Sequence, residues 1–464
     1  MGRLQPKNQL LFMAILPILF LSALILALDV YVFQFVKVVF ADNSYKKAIY
    51  TIYWAIPALF IGMLVFYNIY KIEKLDIFYR LFFGIMFSVY IAKFVSFPFL
   101  IIDDLIRLFT WIGHTTGFIT PKTTQIITEN LAENLKEIPD NLSNPSNNFN
   151  NSEKNPKGFL EDNTITRSSF LAKTALISSG ATLATLGYGI ISGAHDYRVR
   201  KRTVFLPNLP KEFDGLRLAQ LSDIHSGSFF NKTAVKGGIE MLLAEKPDIV
   251  VFTGDLVNDR AKELKDYFDI FSSVNAPLGV FSCLGNHDYG DYYRNWNNKE
   301  EKQQNFRDLC AAHGKMGWKL LRDENHLIEQ NGEKLAIIGI ENWGLGGFGK
   351  RGNMLKARQG TEEAATKILL SHDPSHWKAE VLPKFKDIDL ALAGHTHGMQ
   401  FGVEIGDFRW SPVKFRYEQW ADLYQENNQF LYVNRGFGYL GFPGRVGILP
   451  EITILELKKS PNKS

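Results

Sequence analysis

The stretch Gly279-Val280-Phe281-Ser282-Cys283-Leu284-Gly285-Asn286-His287-Asp288 is an apolar run closed by glycine and then by three polar side chains that can hold a metal or move a proton. Such a run reads as a buried strand that delivers its polar residues into the loop at its carboxyl end, where open α/β sheets place their chemistry. The arrangement recurs along the chain. Leu218 to Ser222 leads into Asp223-Ile224-His225, Ile249 to Thr253 into Gly254-Asp255, Ile368 to Ser371 into His372-Asp373, and Leu390 to Ala393 into Gly394-His395-Thr396-His397-Gly398. A sheet that gathers all these residues along one edge has built a metal site.

Asp, His and Asn without cysteine form a hard-to-borderline ligand set, suited to Mn, Fe, Zn or Mg rather than to a structural zinc finger. Two divalent ions held about 3.5–4 Å apart need a bridging carboxylate, terminal ligands and open positions for water. The residues suffice for this: Asp223, His225 and His397 at one ion, Asn286, His372 and His395 at the other, and Asp255 between them. The Asp-x-His and His-x-His spacings place both side chains on one side of an extended segment, because alternate residues face the same way. Water shared by the two ions, with its pKa brought toward neutrality, is the expected nucleophile.

Taken together, Asp223-x-His225, Gly254-Asp255, Gly285-Asn286-His287-Asp288, His372 and Gly394-His395-x-His397 resemble the motifs of the calcineurin-like metallophosphoesterase superfamily. The resemblance runs from about Val204 to the end, and the chain looks closest to membrane-anchored bacterial enzymes of the phosphodiesterase branch. It implies an α/β fold in which a two-layer β-sandwich flanked by helices carries a dinuclear metal centre at the carboxyl ends of its strands. It also implies the ligand assignments above and a catalytic role for His287, which would protonate the leaving oxygen while oriented by Asp288. The family's word often continues as Gly-Gly-Gln after the last histidine, and Gly398-Met399-Gln400 departs from it at one position.

The chain has 464 residues, of which 46% are hydrophobic and 13% aromatic, high for a wholly soluble protein. The excess sits mostly in the first hundred residues. Residues 1–119 read as a membrane domain of about three spans, in Leu10 to Leu28, Thr51 to Tyr70 and Ile77 to Ile102, since a span needs about 20 apolar residues. Leu105 to Ile119 either extends the third span or lies in the interface. Residues 120–166, rich in Asn, Ser, Glu and Pro, read as a flexible linker. Residues 167–197 read as a last membrane helix, with a buried helix of the soluble part as the alternative, and 198–464 as the catalytic domain. Basic flanks at Arg3, Lys7, Lys71, Lys74 and Arg198 to Arg202 place the catalytic half in the cytoplasm, on a multi-pass protein of the bacterial inner membrane. Against this, Arg167-Ser168-Ser169-Phe170-Leu171 resembles a twin-arginine signal lacking one arginine, which would send the domain outward.

A net charge of +4 is small for this length and argues for no nucleic-acid partner, and the two cysteines, Cys283 and Cys310, exclude a disulfide framework. The expected function is therefore a membrane-anchored phosphohydrolase that cleaves a phosphodiester or pyrophosphate bond in a phosphorylated small-molecule or lipid-linked substrate. The alternatives are a phosphomonoesterase and a non-catalytic metal-binding sensor, and the latter has no need of the His287-Asp288 pair. Asp373 and His376 read as a helix cap and a surface histidine. Asn258 and Tyr289 read as cleft lining, and Arg435 as a contact for an anionic substrate. Asp29, Arg80 and Lys93 are isolated charges in apolar helices, with snorkelling as their expected accommodation.

Overall fold

The computed structural model describes residues 6–70, 76–116 and 167–460; the expected linker at 120–166 and the basic residues Arg3, Lys71 and Lys74 lie outside them. The chain divides into two compact units, Met1–Lys71 with Met86–Leu183 and Ile72–Ile85 with Ala184–Ser464.

Helices α1 (Pro6–Val39), α2 (Lys46–Tyr70), α3 (Asp76–Thr115) and α4 (Arg167–Ile191) are the long apolar elements, and all four contain stretches long and apolar enough to cross a membrane. The segment after Leu105 continues α3 without a break. At about 1.5 Å per residue α3 is about 60 Å long, roughly twice a hydrocarbon core. Within the first unit, Asp29 and Lys93 do not snorkel. They form a buried ion pair, the Tyr90 hydroxyl donates to Asp29 at 2.8 Å, and the Lys93 ammonium lies 4.6 and 4.7 Å from the ring centres of Tyr53 and Tyr90. A charge with no water to reach is kept by pairing, and here three helices supply the partners.

The second unit is built on two six-stranded sheets. The first has the order β1 (Arg198–Leu206), β14 (Glu451–Lys459), β2 (Leu216–Leu221), β3 (Ile249–Phe252), β4 (Val280–Ser282) and β5 (Lys319–Leu320). The second has the order β12 (Asp422–Glu426), β13 (Gln429–Val433), β9 (Leu390–Ala393), β8 (Thr366–Leu370), β7 (Glu333–Gly339) and β6 (Glu324–Gln330). A separate hairpin pairs β10 (Val403–Ile405) with β11 (Phe408–Trp410). Strands β2 to β5 run parallel, as do β7, β8, β9 and β13.

The period of two along each strand sorts its side chains between two cores. Leu218 and Val251 of the first sheet meet Ile337, Ile368, Leu370 and Leu392 of the second in one buried cluster, so the sheets pack face to face. Their alternates face outward: Ala219, Leu221, Val250 and Phe252 against helix α5 (Lys232–Ala244) and helix α6 (Lys299–Lys315), and Ile338, Leu369 and Ala391 against Trp377 and Val381. Strands buried on both faces must be continuously apolar, which is why their sequences show runs rather than alternation. Gln220, fully buried, ties the sheets together by donating to Thr253 Oγ1 and to the Ala393 carbonyl, both at 2.9 Å. Arg198, Arg200, Lys201 and Arg202 on and around β1 are each paired, with Asp196, Glu404, Glu245 and Asp422.

Candidate metal centre

Each parallel strand named in the sequence ends at the same edge. Asp223 and His225 follow β2, Asp255 follows β3, Asn286 and His287 follow β4, His372 follows β8, and His395 and His397 follow β9. The ligand atoms of Asp223, His225 and His397 lie within 4.8 Å of one another, and so do those of Asp255, His372 and His395. Asp255 joins the two groups, with Oδ2 3.5 Å from His225 Nε2 and 3.2 Å from His372 Nε2. Asn286 Oδ1 stands 3.2 Å from His372 Nε2, while its amide donates to the Tyr292 hydroxyl at 3.0 Å.

The extended geometry expected for Asp-x-His and His-x-His is not what brings these side chains together. Asp223, His225, Asp255, His395 and His397 all have positive φ, between 49° and 68°. Left-handed backbone is uncommon outside glycine and clusters at functional sites, where surrounding packing holds it. The turn after each strand swings alternate residues inward, and His395 and His397 reach different groups. Space for these turns comes from glycine: a Cβ on Gly394 would stand 2.1 Å from Asp223 Oδ2, and one on Gly285 would stand 2.2 Å from Asp255 Oδ1.

The donor set fits a pair of divalent cations. Imidazole nitrogens and carboxylate oxygens, the atom types that ligate such cations, converge at close range, as where His225 Nε2 lies 3.1 Å from His397 Nε2. Outer contacts set the tautomers. His372 Nδ1 lies 2.7 Å from the Thr253 carbonyl, which can only accept, so Nδ1 carries a proton and Nε2 is the nitrogen turned to the site. His395 Nε2 lies 2.8 Å from the Tyr417 hydroxyl, and a proton donated there leaves the Nδ1 lone pair facing His372. Burial pushes the imidazoles of His225 and His395 down, the latter to about 4, into the neutral form that ligates. At His372 burial acts the same way, but the carboxylate of Asp255 overrides it and raises the pKa to about 10. A cation taking that place displaces a proton.

His287 is the partly exposed member of its motif, whereas Asn286 and Asp288 are buried. Its Nδ1 lies 2.7 Å from the Asn258 carbonyl oxygen, and its backbone N–H donates to Asp255 Oδ1 at 2.8 Å. Asp288 does not orient the imidazole. Its carboxylate accepts the backbone N–H groups of Gly285, Asp255 and Leu256 at 2.8–2.9 Å, which saturates it and knits the β3 and β4 loops together.

Other expectations are revised. His376 is fully buried, 2.9 Å from Ser371 Oγ and 3.2 Å from Glu380, and is no surface histidine. Asp373 accepts the Ser375 N–H at 2.8 Å in the manner of a cap, yet is buried with Oδ2 3.6 Å from His395 Nε2. Arg435 is buried between Glu404 and Glu451, each at 2.7 Å, and Tyr289 is packed on Phe306, so neither faces the cleft. Residues that the sequence did not single out are Tyr417, Thr253 and Arg445. The buried Arg445 guanidinium lies 3.2 Å from His397 Nδ1 and donates to the Arg435 carbonyl at 2.8 Å, bracing the His397 loop. An arginine in Gly444-Arg445-Val446-Gly447 carries no local pattern that points to this.

Comparison with known proteins agrees with this geometry. A model of the family "Calcineurin-like phosphoesterase" matches residues 216–399, and one described as "Probable Calcineurin-like phosphoesterase, transmembrane domain" matches residues 13–194. An uncharacterized metallophosphoesterase of Aquifex aeolicus (strain VF5) is 30% identical over 268 residues, which are 57% of this chain and 93% of the relative. One from Bacillus subtilis (strain 168) is 28% identical over 290 residues, 61% of this chain and 94% of the relative. A transmembrane protein with metallophosphoesterase domain from Danio rerio is 28% identical over 281 residues, 59% of this chain and 60% of the relative.

Proposed function

This chain belongs to the calcineurin-like metallophosphoesterase family, with a membrane domain of that family ahead of the catalytic one, and on that ground we propose that it hydrolyses a phosphodiester or pyrophosphate bond. The observation that carries the reading is the pair of donor groups joined by Asp255, with His287 beside them at the ends of β2, β3, β4, β8 and β9. When bound, two divalent cations, of Mn, Fe, Zn or Mg, supply positive charge to the phosphoryl oxygens and a water of lowered pKa.

The chain's own residues do the rest. Asp223, His225 and His397 would hold one cation and Asn286, His372 and His395 the other, with Asp255 within reach of both groups. The Asn258 carbonyl, which can only accept, engages His287 Nδ1, and this leaves Nε2 as the nitrogen from which the imidazolium form would give a proton to the ester oxygen as its bond to phosphorus breaks. Asp288 keeps the loop that presents His287 in place. The membrane helices suggest a lipid-linked substrate, and the basic flanks suggest a catalytic half on the cytoplasmic side of a bacterial inner membrane.

The test is hydrolysis by the full chain in detergent, after chelation and return of each metal, of bis-p-nitrophenyl and mono-p-nitrophenyl phosphate. The proposal expects metal-restored activity that favours the diester. Preference for the monoester would make it a phosphomonoesterase. Metal binding without hydrolysis of either would favour a sensor.

A further inference from the structure

Beside the metal centre, within the second unit, lies a cavity of about 230 Å³ lined among others by Arg80, Ser228, Asn258, Asp259, Tyr439 and Pro443. Two of its walls are the loops that carry the candidate ligands: Ser228 comes three residues after His225, and Asn258 three after Asp255. Asn258 is the residue whose carbonyl holds His287, so the cavity and the proton donor share a wall.

Arg80 enters from the opening turns of α3, in a segment that packs as part of this unit. One helical turn later on the same face, Gly84 meets Pro443, where an added Cβ would stand 2.3 Å from the proline ring. The contact holds the helix against the loop and aims Arg80 at the β2 loop. Its Nη1 donates to the Gly227 carbonyl at 2.6 Å, and it has no ion pair among the described residues. The Asn258 side-chain amide on the same wall is buried, and its Nδ2 has no partner among them. The acidic side chain on the wall, Asp259, accepts the Tyr292 backbone N–H at 3.1 Å. A partly buried guanidinium with donors left over, next to a buried amide nitrogen that has no partner among the described residues, is matched by an anionic oxygen.

We propose that Arg80 is a substrate-binding residue, which holds a second anionic group of the substrate in this cavity while the ester is cleaved at the metal centre. The inference rests on the phosphoesterase reading above and narrows its substrate class to phosphoric esters carrying such a group, a phosphate or a carboxylate. The third helix then contributes specificity as well as anchorage. Sequence alone offered only a charge interrupting an apolar run.

The test uses the full chain in detergent, loaded with metal, and p-nitrophenyl alkyl phosphate diesters whose alkyl arm ends in methyl, carboxylate or phosphate. The wild type should prefer a charged arm, and whichever is preferred identifies the source of the anion. In Arg80→Gln the preference in kcat/KM over the methyl-ended ester should fall about tenfold, through KM, and Arg80→Lys should recover part of it. No preference in the wild type, or an equal loss on all three esters in Arg80→Gln, would overturn the proposal by making Arg80 structural. Failure of the wild type to cleave any ester would refute the phosphoesterase reading instead. Calorimetric binding of the same esters to both proteins then still reads the subsite, and equal affinities would refute it.

Discussion

At the scale of the residue, the site is a set of backbone conformations that side chains alone do not favour. Five ligand positions sit in the left-handed region, each at a cost of order 1 kcal/mol or more, and each is held by contacts from elsewhere in the chain. His395, for example, has its backbone N–H bound by both Asp223 carboxylate oxygens at 3.0 Å. His287 carries no part of the ligand set, so His287→Ala should lower kcat by roughly 10²–10⁴-fold with the metal content per chain unchanged. A kcat within threefold of the wild type, at full metal occupancy, would remove it from the mechanism. Tyr417 acts one contact further out. Tyr417→Phe loses the hydroxyl 2.8 Å from His395 Nε2 and should weaken metal binding by about tenfold, read by competition with a chelator, without changing the fold by circular dichroism.

At the scale of the element, strand ends and helix faces decide what can approach. Gly394, between β9 and its two histidines, leaves no room for a side chain: an added Cβ would stand 1.9 Å from Ser222 Oγ. Gly394→Ala should therefore cost about 1–3 kcal/mol of stability and displace Asp223, giving a lower melting temperature and fewer metals per chain. Normal stability with full metal content would show that the β2 loop yields more easily than its packing implies. In the helical unit, the element at stake is the ion pair that links α1 to α3. Lys93→Met leaves Asp29 charged and buried and should destabilise the unit by about 3–5 kcal/mol, whereas Asp29→Asn combined with Lys93→Met should recover much of the loss. Thermal unfolding of both variants in detergent tells them apart, and equal loss in the two would mean that the pair itself is the source of stability.

At the scale of the whole molecule, stability and pH are linked through histidines that the chemistry does not use. His313 on α6 is fully buried 3.0 Å from Ser282 Oγ, and burial lowers its pKa from 6.5 to about 3. The folded state thus excludes a proton that the unfolded chain binds, and the stability it represents is present above about pH 6.5 and is lost as pH falls toward about 3. The slope is about 1.4 kcal/mol per pH unit within that window, so denaturant midpoints should drop between pH 6.5 and 5, and drop less in His313→Gln. How far the architecture could be read in advance follows from range. The apolar runs, their polar endings and the length of the membrane helices are local patterns, and they located every strand that carries the site. Asp288, Arg435 and His376 were misread because distant partners surround them: the N–H groups of the β3 loop, two glutamates on other strands, and the Trp343 ring packed 4.7 Å from the His376 ring. Arg80 and the Asp29–Lys93 pair read alike as stray charges, and only the packing of helices around them separates a cation facing a cavity from one neutralised in an apolar interior. The sequence by itself determined which residue types reach one edge of the sheets, because strand period and glycine turns act over a few residues. Which atoms face one another there, and which carbonyl holds His287, was decided by the folding of two sheets together, since those contacts join residues that are tens to hundreds of positions apart and leave no local trace.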